Sequence, residues 1–125
     1  IAEIRYAMYC ALTHQEDRRE SEGVMALVSQ VPEGENVYIY GFPSCSRLYL
    51  LSGRMPPMRY CDWQEHYIAL APEIGAAIEA YLQTGSYVLT PETGIAPREI
   101  RELLQKDYEI LDTREEMTLW GRKAE

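Results

Sequence analysis

The stretch Val37–Tyr60, VYIYGFPSCSRLYLLSGRMPPMRY, decides the fold that the sequence predicts. It opens with a β-rich run, Val37–Tyr40, which stops at Gly41, and it continues into Ser46–Leu51, which has the composition of a short helix. Two consecutive prolines then force an extended path into Met58–Tyr60. Strand, turn, helix and strand make a βαβ unit, which pairs parallel strands. We therefore expect a parallel sheet at the centre of the domain.

The segments before and after this unit extend it with further helices and one more strand. Apolar residues recur at helical spacing in three places, and each pattern predicts a helix that packs one face on the sheet. The first helix carries Val24, Leu27, Val28 and Val31, the second Ile74, Ile78, Tyr81 and Leu82, and the third Ile100, Leu103 and Leu104. The run Ser86–Thr90 predicts a strand between the second and third helices, whereas the polar and aromatic residues 61–67 predict an irregular loop.

Two short β-rich runs close the chain, Tyr108–Leu111 and Met117–Trp120. Only Asp-Thr-Arg-Glu-Glu separates them, which is too short for a crossover helix, so they predict an antiparallel hairpin at one edge. The predicted fold class is α/β: a three-layer sandwich with a small, Rossmann-like, mostly parallel sheet and a C-terminal antiparallel hairpin. Residues 16–125 are predicted to form a single α/β domain.

Composition fits one globular domain and argues against two classes of partner. The chain has 125 residues, of which 46% are hydrophobic and 26% charged. Its net charge of −8 disfavours nucleic acid and anionic membrane surfaces, which both attract a basic face. We therefore expect no nucleic-acid partner.

The turn Gly41–Arg47 is the predicted place for a small-molecule site, because ligands of open α/β sheets bind beyond the carboxyl ends of the strands. The turn lacks a GxGxxG pattern, a phosphate-loop lysine and a GxSxG pattern. Serine hydroxyls and free backbone N–H groups at a helix start could still hold an anion, although helix capping explains the same serines. The candidate ligand-binding residues are Ser44, Ser46, Arg47, Arg54 and Arg59.

Metal and thiol chemistry receive little support. Asp62, Glu65 and His66 form one isolated triplet of possible ligands, and we expect neither a metal ion nor a cofactor. The three cysteines, at positions 10, 45 and 61, show no CxxC pattern. Cys45 and Cys61 flank the predicted βαβ helix, so they could pair in an oxidising compartment or remain buried free thiols.

Several stretches together resemble a known family. The first stretch is Val-Pro-Glu-Gly-Glu-Asn, which precedes the strand Val-Tyr-Ile-Tyr-Gly. Three more stretches follow in order: Leu-Tyr-Leu-Leu-Ser-Gly-Arg-Met-Pro-Pro-Met-Arg-Tyr, then Ser-Tyr-Val-Leu-Thr, then Asp-Tyr-Glu-Ile-Leu. This order resembles the soluble C-terminal domain of polytopic membrane glycosyltransferases of the dolichyl-phosphate-mannose protein mannosyltransferase type, whose bacterial relatives include the aminoarabinose transferases. The resemblance covers Val24 to Arg122 and is sharpest in Leu48–Tyr60.

The resemblance implies a function for the parent protein rather than for this domain alone. Members of the family transfer a sugar from a polyprenyl-phosphate donor to an acceptor outside the cytoplasm, and their catalytic acids lie between membrane helices. The domain is therefore expected to be non-catalytic and extracytoplasmic, and to position an acceptor or cover the active site. Residues 1–15 are expected to be a linker or edge segment that follows an upstream membrane part. Its expected partners are that membrane part and a glycan or lipid-linked acceptor. The family pattern does not require the cysteines.

Two other functions remain open from the residues themselves. A free-standing α/β protein could bind a nucleotide or sugar phosphate at the Gly41–Arg47 turn, with Arg54 or Arg59 adding charge. A protein-interaction module could instead pair through the exposed edge of the C-terminal hairpin.

Overall fold

The computed structural model describes residues 15–42, 45–62 and 64–124. Within them the chain forms five helices and four strands. In chain order these are α1 (Gln15–Val28), β1 (Val37–Ile39), α2 (Cys45–Ser52), α3 (Gln64–Leu70), α4 (Pro72–Leu82), β2 (Tyr87–Pro91), α5 (Arg98–Asp107), β3 (Tyr108–Arg114) and β4 (Met117–Arg122). None of the helices in these residues is long and apolar enough to cross a membrane.

The four strands form one mixed sheet in the order β1-β2-β4-β3. Strand β1 runs parallel to β2, with Val37 opposite Tyr87, whereas β4 runs antiparallel to both β2 and β3. The predicted α/β class and the C-terminal hairpin are confirmed. The prediction of a mostly parallel sheet is wrong, because β4 enters the sheet beside β2 and makes two of the three strand contacts antiparallel.

The predicted strand at Met58–Tyr60 does not form. Pro56 and Pro57 lack backbone N–H donors, and the chain bends at residues 57–59, where side-chain contacts replace the hydrogen bonds of a strand. The Tyr38 hydroxyl donates a hydrogen bond of 2.7 Å to the Tyr60 carbonyl, and Met58 packs on the core. The first parallel partner of β1 is therefore β2, which follows two further helices.

Helix α3 stands where the sequence predicted an irregular loop. Its first residue, Gln64, is buried at 1% exposure, so a tertiary contact fixes the helix start. Helix α3 also packs closely on α4: a Cβ added to Gly75 would lie 3.2 Å from the Ile68 side chain. The short polar–aromatic sequence lacks a clear apolar stripe, which is why periodicity missed this helix.

Alternating strand residues divide the core into two clusters on opposite faces of the sheet. In β1, Val37 and Ile39 belong to one cluster, whereas Tyr38 and the following Tyr40 belong to the other. Helices α1 and α2 contribute to the first cluster, and helices α4 and α5 contribute to the second. Helices thus pack on both sheet faces within the described residues.

Helix α1 confirms most of the predicted apolar stripe. Val24, Leu27 and Val28 are buried on the helix, but the helix ends at Val28, before Val31. Val31 is nevertheless buried, because a turn follows the helix and returns its side chain to the same core cluster. The predicted linker, residues 1–15, lies almost entirely outside the described residues.

Candidate functional site

The carboxyl end of β1 is where the sequence placed a ligand site, and a glycine turn shapes it. Gly41 has a φ of 92°, a left-handed conformation that favours glycine. A Cβ at this position would lie 3.0 Å from the Pro91 ring, so β1 and β2 end in close contact here. Of the candidate residues nearest to the turn, Ser44 lies outside the described residues, whereas Ser46 and Arg47 follow on α2.

Ser46 is bound by a carboxylate of the chain itself. Its backbone N–H donates a hydrogen bond of 2.7 Å to Asp62 Oδ1, and its hydroxyl donates to Asp62 Oδ2. A carboxylate at this position satisfies free N–H groups and interacts favourably with the helix dipole of α2. Asp62 therefore takes the place that the sequence left open to an anion, and its negative charge would repel one.

Arg54 binds the end of α1. Its guanidinium donates to carbonyl oxygens at 2.8 Å (Glu35), 2.9 Å (Val31), 3.3 Å (Pro32) and 3.5 Å (Val28). These carbonyls lie at the carboxyl end of the helix and in the turn after it, where free acceptors and the negative end of the dipole attract a cation. The structure thus uses this arginine to fix the connection from α1 to β1.

At two other helix ends, a carbonyl oxygen also accepts a hydrogen bond from a basic side chain that is distant in sequence. Arg122 donates to the Leu82 carbonyl at 2.6 Å, at the end of α4. Lys123 donates to the Lys106 carbonyl at 3.1 Å, near the end of α5. Because the same arrangement recurs, the contacts of Arg54 belong to a general way in which this chain satisfies its helix ends.

The remaining two arginines of the predicted site have other surroundings. Arg59 is exposed, and its guanidinium carbon lies 5.5 Å from the centre of the Tyr60 ring. Arg47 is partly buried on α2 and also has an interaction partner. Arg54 is directed at α1 and Arg59 lies against Tyr60, so these two cations do not converge on the Gly41 turn.

Gln64 connects the elements around this turn, although the sequence pattern does not indicate such a role. Its side-chain amide donates a hydrogen bond of 2.9 Å to the Ile39 carbonyl and one of 3.5 Å to the Cys45 sulfur. Its Oε1 accepts the Gly41 N–H at 3.5 Å. Nothing in the polar sequence around position 64 distinguishes this glutamine from a surface residue, since its partners lie 19 to 25 residues away.

Cys45 is a packing residue in this arrangement. Its side chain is fully buried, and its thiol donates a weak hydrogen bond of 3.6 Å to the Phe42 carbonyl. Burial raises the pKa of Cys45 to about 11, so the group stays a neutral thiol at physiological pH and is a poor nucleophile. Cys45 and Cys61 are both free thiols in the structure.

The possible metal ligands have separate partners. Asp62 accepts from Ser46, and Glu65 accepts the Ala96 N–H, while the His66 ring lies 5.9 Å from the ring of Tyr67. Partial burial raises the pKa of Glu65, and the hydrogen bond from Ala96 opposes that rise. In the described part of the chain, no three His, Cys, Asp or Glu side chains are arranged to hold a metal ion.

The arrangement as a whole joins strands, helices and turns to one another. The polar groups near the Gly41 turn bind the backbone of this domain: Gln64 binds Ile39 and Gly41, Asp62 binds Ser46, and Glu65 binds Ala96. Comparison of the chain with protein-family models, with curated proteins and with solved structures finds no match.

Proposed function

We propose that this chain is a non-catalytic, extracytoplasmic accessory domain of a membrane glycosyltransferase that takes its sugar from a polyprenyl-phosphate donor. The observation that carries the proposal is the role of Leu48–Tyr60, the segment in which the family resemblance is sharpest. Within it, Tyr49 binds the backbone of β1 and Arg54 binds the end of α1. The side chains of this segment therefore hold the strands and helices of the domain together. That role suits a non-catalytic domain whose parent protein carries its catalytic residues in another part of the chain.

The proposed partners follow from that role. The membrane part of the same polypeptide would supply the catalytic acids, and this domain would position a glycan or a lipid-linked acceptor, or cover the active site. The buried Cys45 thiol and the backbone-bound carboxylates of Asp62 and Glu65 support a role in structure, because each is already engaged within the domain.

An activity assay on the full-length membrane protein tests the proposal. Asp62→Asn, Glu65→Gln and His66→Ala each change one member of the isolated triplet of acidic and histidine residues that follows Cys61 in the sequence. We expect sugar transfer to persist in every variant whose domain resists limited proteolysis as the parent does. Loss of transfer in a variant that is still folded would place a catalytic group in this domain and overturn the proposal.

A second candidate, a protein-interaction module, has one specific observation in its favour. Strand β3 is the last strand of the sheet order, and its Ile110 and Leu111 are 59% and 45% exposed. Exposed apolar residues on an edge strand can pair with another chain. Concentration-dependent association in sedimentation equilibrium, lost in Leu111→Lys, would support pairing between two copies, whereas a monomer at all concentrations would argue against it.

The third candidate, a nucleotide or sugar-phosphate binder at the Gly41–Arg47 turn, has less support because Asp62 already binds the N–H and hydroxyl of Ser46. For the fold, we propose the Rossmann-like, three-layer arrangement that the sequence predicts. The two core clusters, with helices contributing to each, support that arrangement.

A further inference from the structure

A cleft of about 360 Å³ lies on the opposite side of β2 from β1, between α5 and the C-terminal hairpin. We call it the Trp120 cleft. Its walls come from the loop after β2 (Glu92), from α5 (Arg101 and Gln105), and from the hairpin (Ile110, Thr113 and Trp120). Its volume falls in the lower part of the range of small-molecule pockets, about 300–1,000 Å³.

The floor of the cleft is fixed by internal contacts. The Trp120 indole N–H donates a hydrogen bond of 2.9 Å to the hydroxyl of Thr90, which is fully buried. Trp120 also pairs with Val88 on one side and with Ile110 on the other. Because the indole is held in this way, a ligand would meet a preformed surface and would not have to order it.

One wall is apolar and open to solvent. Ile110 is 59% exposed although it lies directly opposite Trp120 in the sheet. The two side chains line the same cleft, where Trp120 retains 8% exposure. Together they present an apolar strip that could contact the C–H face of a ring.

The other wall offers hydrogen-bonding groups without a partner among the described residues. Arg101 and Gln105 lie one helical turn apart on α5, so their side chains share a face. Neither side chain makes a hydrogen bond or ion pair with another described residue. By contrast, Arg98 on the same helix is paired with Glu102 at 2.7 Å. The free guanidinium and amide therefore face the cleft with several donors and one acceptor available.

The charges of the residues that line the cleft indicate which class of ligand it can bind. The cleft has one basic lining residue, Arg101, and one acidic lining residue, Glu92, so it offers no excess of positive charge to a phosphate. The apolar strip is surrounded by four polar groups: a guanidinium, an amide, a carboxylate and the Thr113 hydroxyl. Such a surface matches a molecule that has many hydroxyl groups and an apolar ring face. We propose that the Trp120 cleft binds a neutral saccharide unit. The site does not depend on the proposed membrane context, and the isolated chain can test it.

The test is a titration of the 125-residue chain with methyl glycosides of glucose, mannose, galactose and N-acetylglucosamine, followed by NMR through the indole N–H signals. We expect at least one glycoside to shift the Trp120 signal saturably in the millimolar range. Arg101→Ala and Gln105→Ala should each weaken that binding about fivefold, which is typical of one lost hydrogen bond. Arg98→Ala, on the same helix but outside the cleft lining, is the matched control and should bind as the parent does.

Two results would overturn the proposal. One is the absence of any saturable shift of the Trp120 signal across the glycosides, with the parent chain folded by its NMR spectrum. The other is a clear preference for a sugar phosphate over the neutral sugar, lost in Arg101→Ala, which would assign the cleft to anions. Neither result bears on the membrane transferase proposal, which is tested by transfer activity in the full-length protein.

Discussion

The backbone N–H of Ile39 donates a hydrogen bond of 2.8 Å to the hydroxyl of Tyr49. Strand β1 is the first strand of the sheet order, so Ile39 faces an edge on which the described residues place no neighbouring strand. The Ile39 carbonyl on that edge accepts from the Gln64 amide at 2.9 Å. Two side chains thus satisfy the backbone groups of Ile39 that a neighbouring strand would otherwise bind, and this opposes pairing of another chain at this position.

Replacement of Tyr49 by phenylalanine tests the hydrogen bond from Ile39. The variant removes one oxygen and leaves a buried backbone donor unsatisfied, so we expect the free energy of unfolding to fall by about 1–3 kcal/mol. Urea unfolding followed by circular dichroism measures it. The control is Tyr67→Phe, an exposed tyrosine, which should stay within about 0.5 kcal/mol of the parent. Equal stability of the two variants would contradict the role given to Tyr49.

Arg54→Met tests the hydrogen bonds that the Arg54 guanidinium donates to carbonyl oxygens at the end of α1. It keeps much of the side-chain length but removes the charged donors from four carbonyls, and we expect a loss of about 2 kcal/mol in the free energy of unfolding. Arg59→Met, at an exposed arginine, is the control and should change stability by less than about 0.5 kcal/mol. If Arg59→Met proved the more damaging variant in urea unfolding, our assignment of Arg54 to structure would be wrong.

Asp62→Ala tests whether the carboxylate excludes an anion from the start of α2. Loss of this cap should cost about 1 kcal/mol. It should also free the Ser46 N–H, so that inorganic phosphate raises the melting temperature of the variant but not of the parent. Glu109→Ala, at an exposed acid of β3, controls for the change in net charge. Phosphate stabilisation of the parent equal to that of Asp62→Ala would instead favour a native anion site at the turn.

The reactivity of the two described cysteines should differ. Burial and the raised pKa keep Cys45 a protonated, covered thiol, whereas Cys61 is partly exposed. Alkylation of the native chain with iodoacetamide, followed by mass spectrometry of peptides, should therefore modify Cys61 well before Cys45. In urea both should react. Rapid modification of native Cys45 would show that its pocket opens easily and would argue against its packing role.

Stability should fall at alkaline pH. Burial raises the pKa of Tyr38, Tyr40 and Tyr49 above their ordinary value. The unfolded chain ionises its tyrosines near pH ~10, while the folded chain retains these protons, so the stabilisation is complete below that pH and is lost above it. Each such tyrosine contributes a slope of up to about 1.4 kcal/mol per pH unit. Urea unfolding at several pH values measures it, and an unchanged free energy of unfolding above pH ~10 would contradict the burial of these hydroxyls.

Local sequence patterns were sufficient to predict much of the fold. The apolar spacing of Ile74, Ile78 and Leu82 predicted α4, and the five residues between the last two strands predicted their hairpin. In each case the deciding contacts join residues near in sequence, or repeat along one face of an element. A sequence pattern carries that kind of information directly.

The errors arose where distant residues decide the structure. The order of strands places β4 beside β2, and no local pattern specifies that neighbour. Helix α3 begins at a glutamine whose partner, Ile39, lies 25 residues earlier. Arg54 looked like a ligand-binding cation because its targets, carbonyls 19 to 26 residues away, have no signature in the sequence.

The coding sequence upstream of Ile1 tests whether this domain serves a membrane glycosyltransferase. We expect it to encode several hydrophobic spans of about 20 residues each, with acidic residues in an early loop between them. A start codon immediately before Ile1, with no spans in the same reading frame, would contradict it. The chain would then act alone, and the Trp120 cleft would be the first place to look for its ligand.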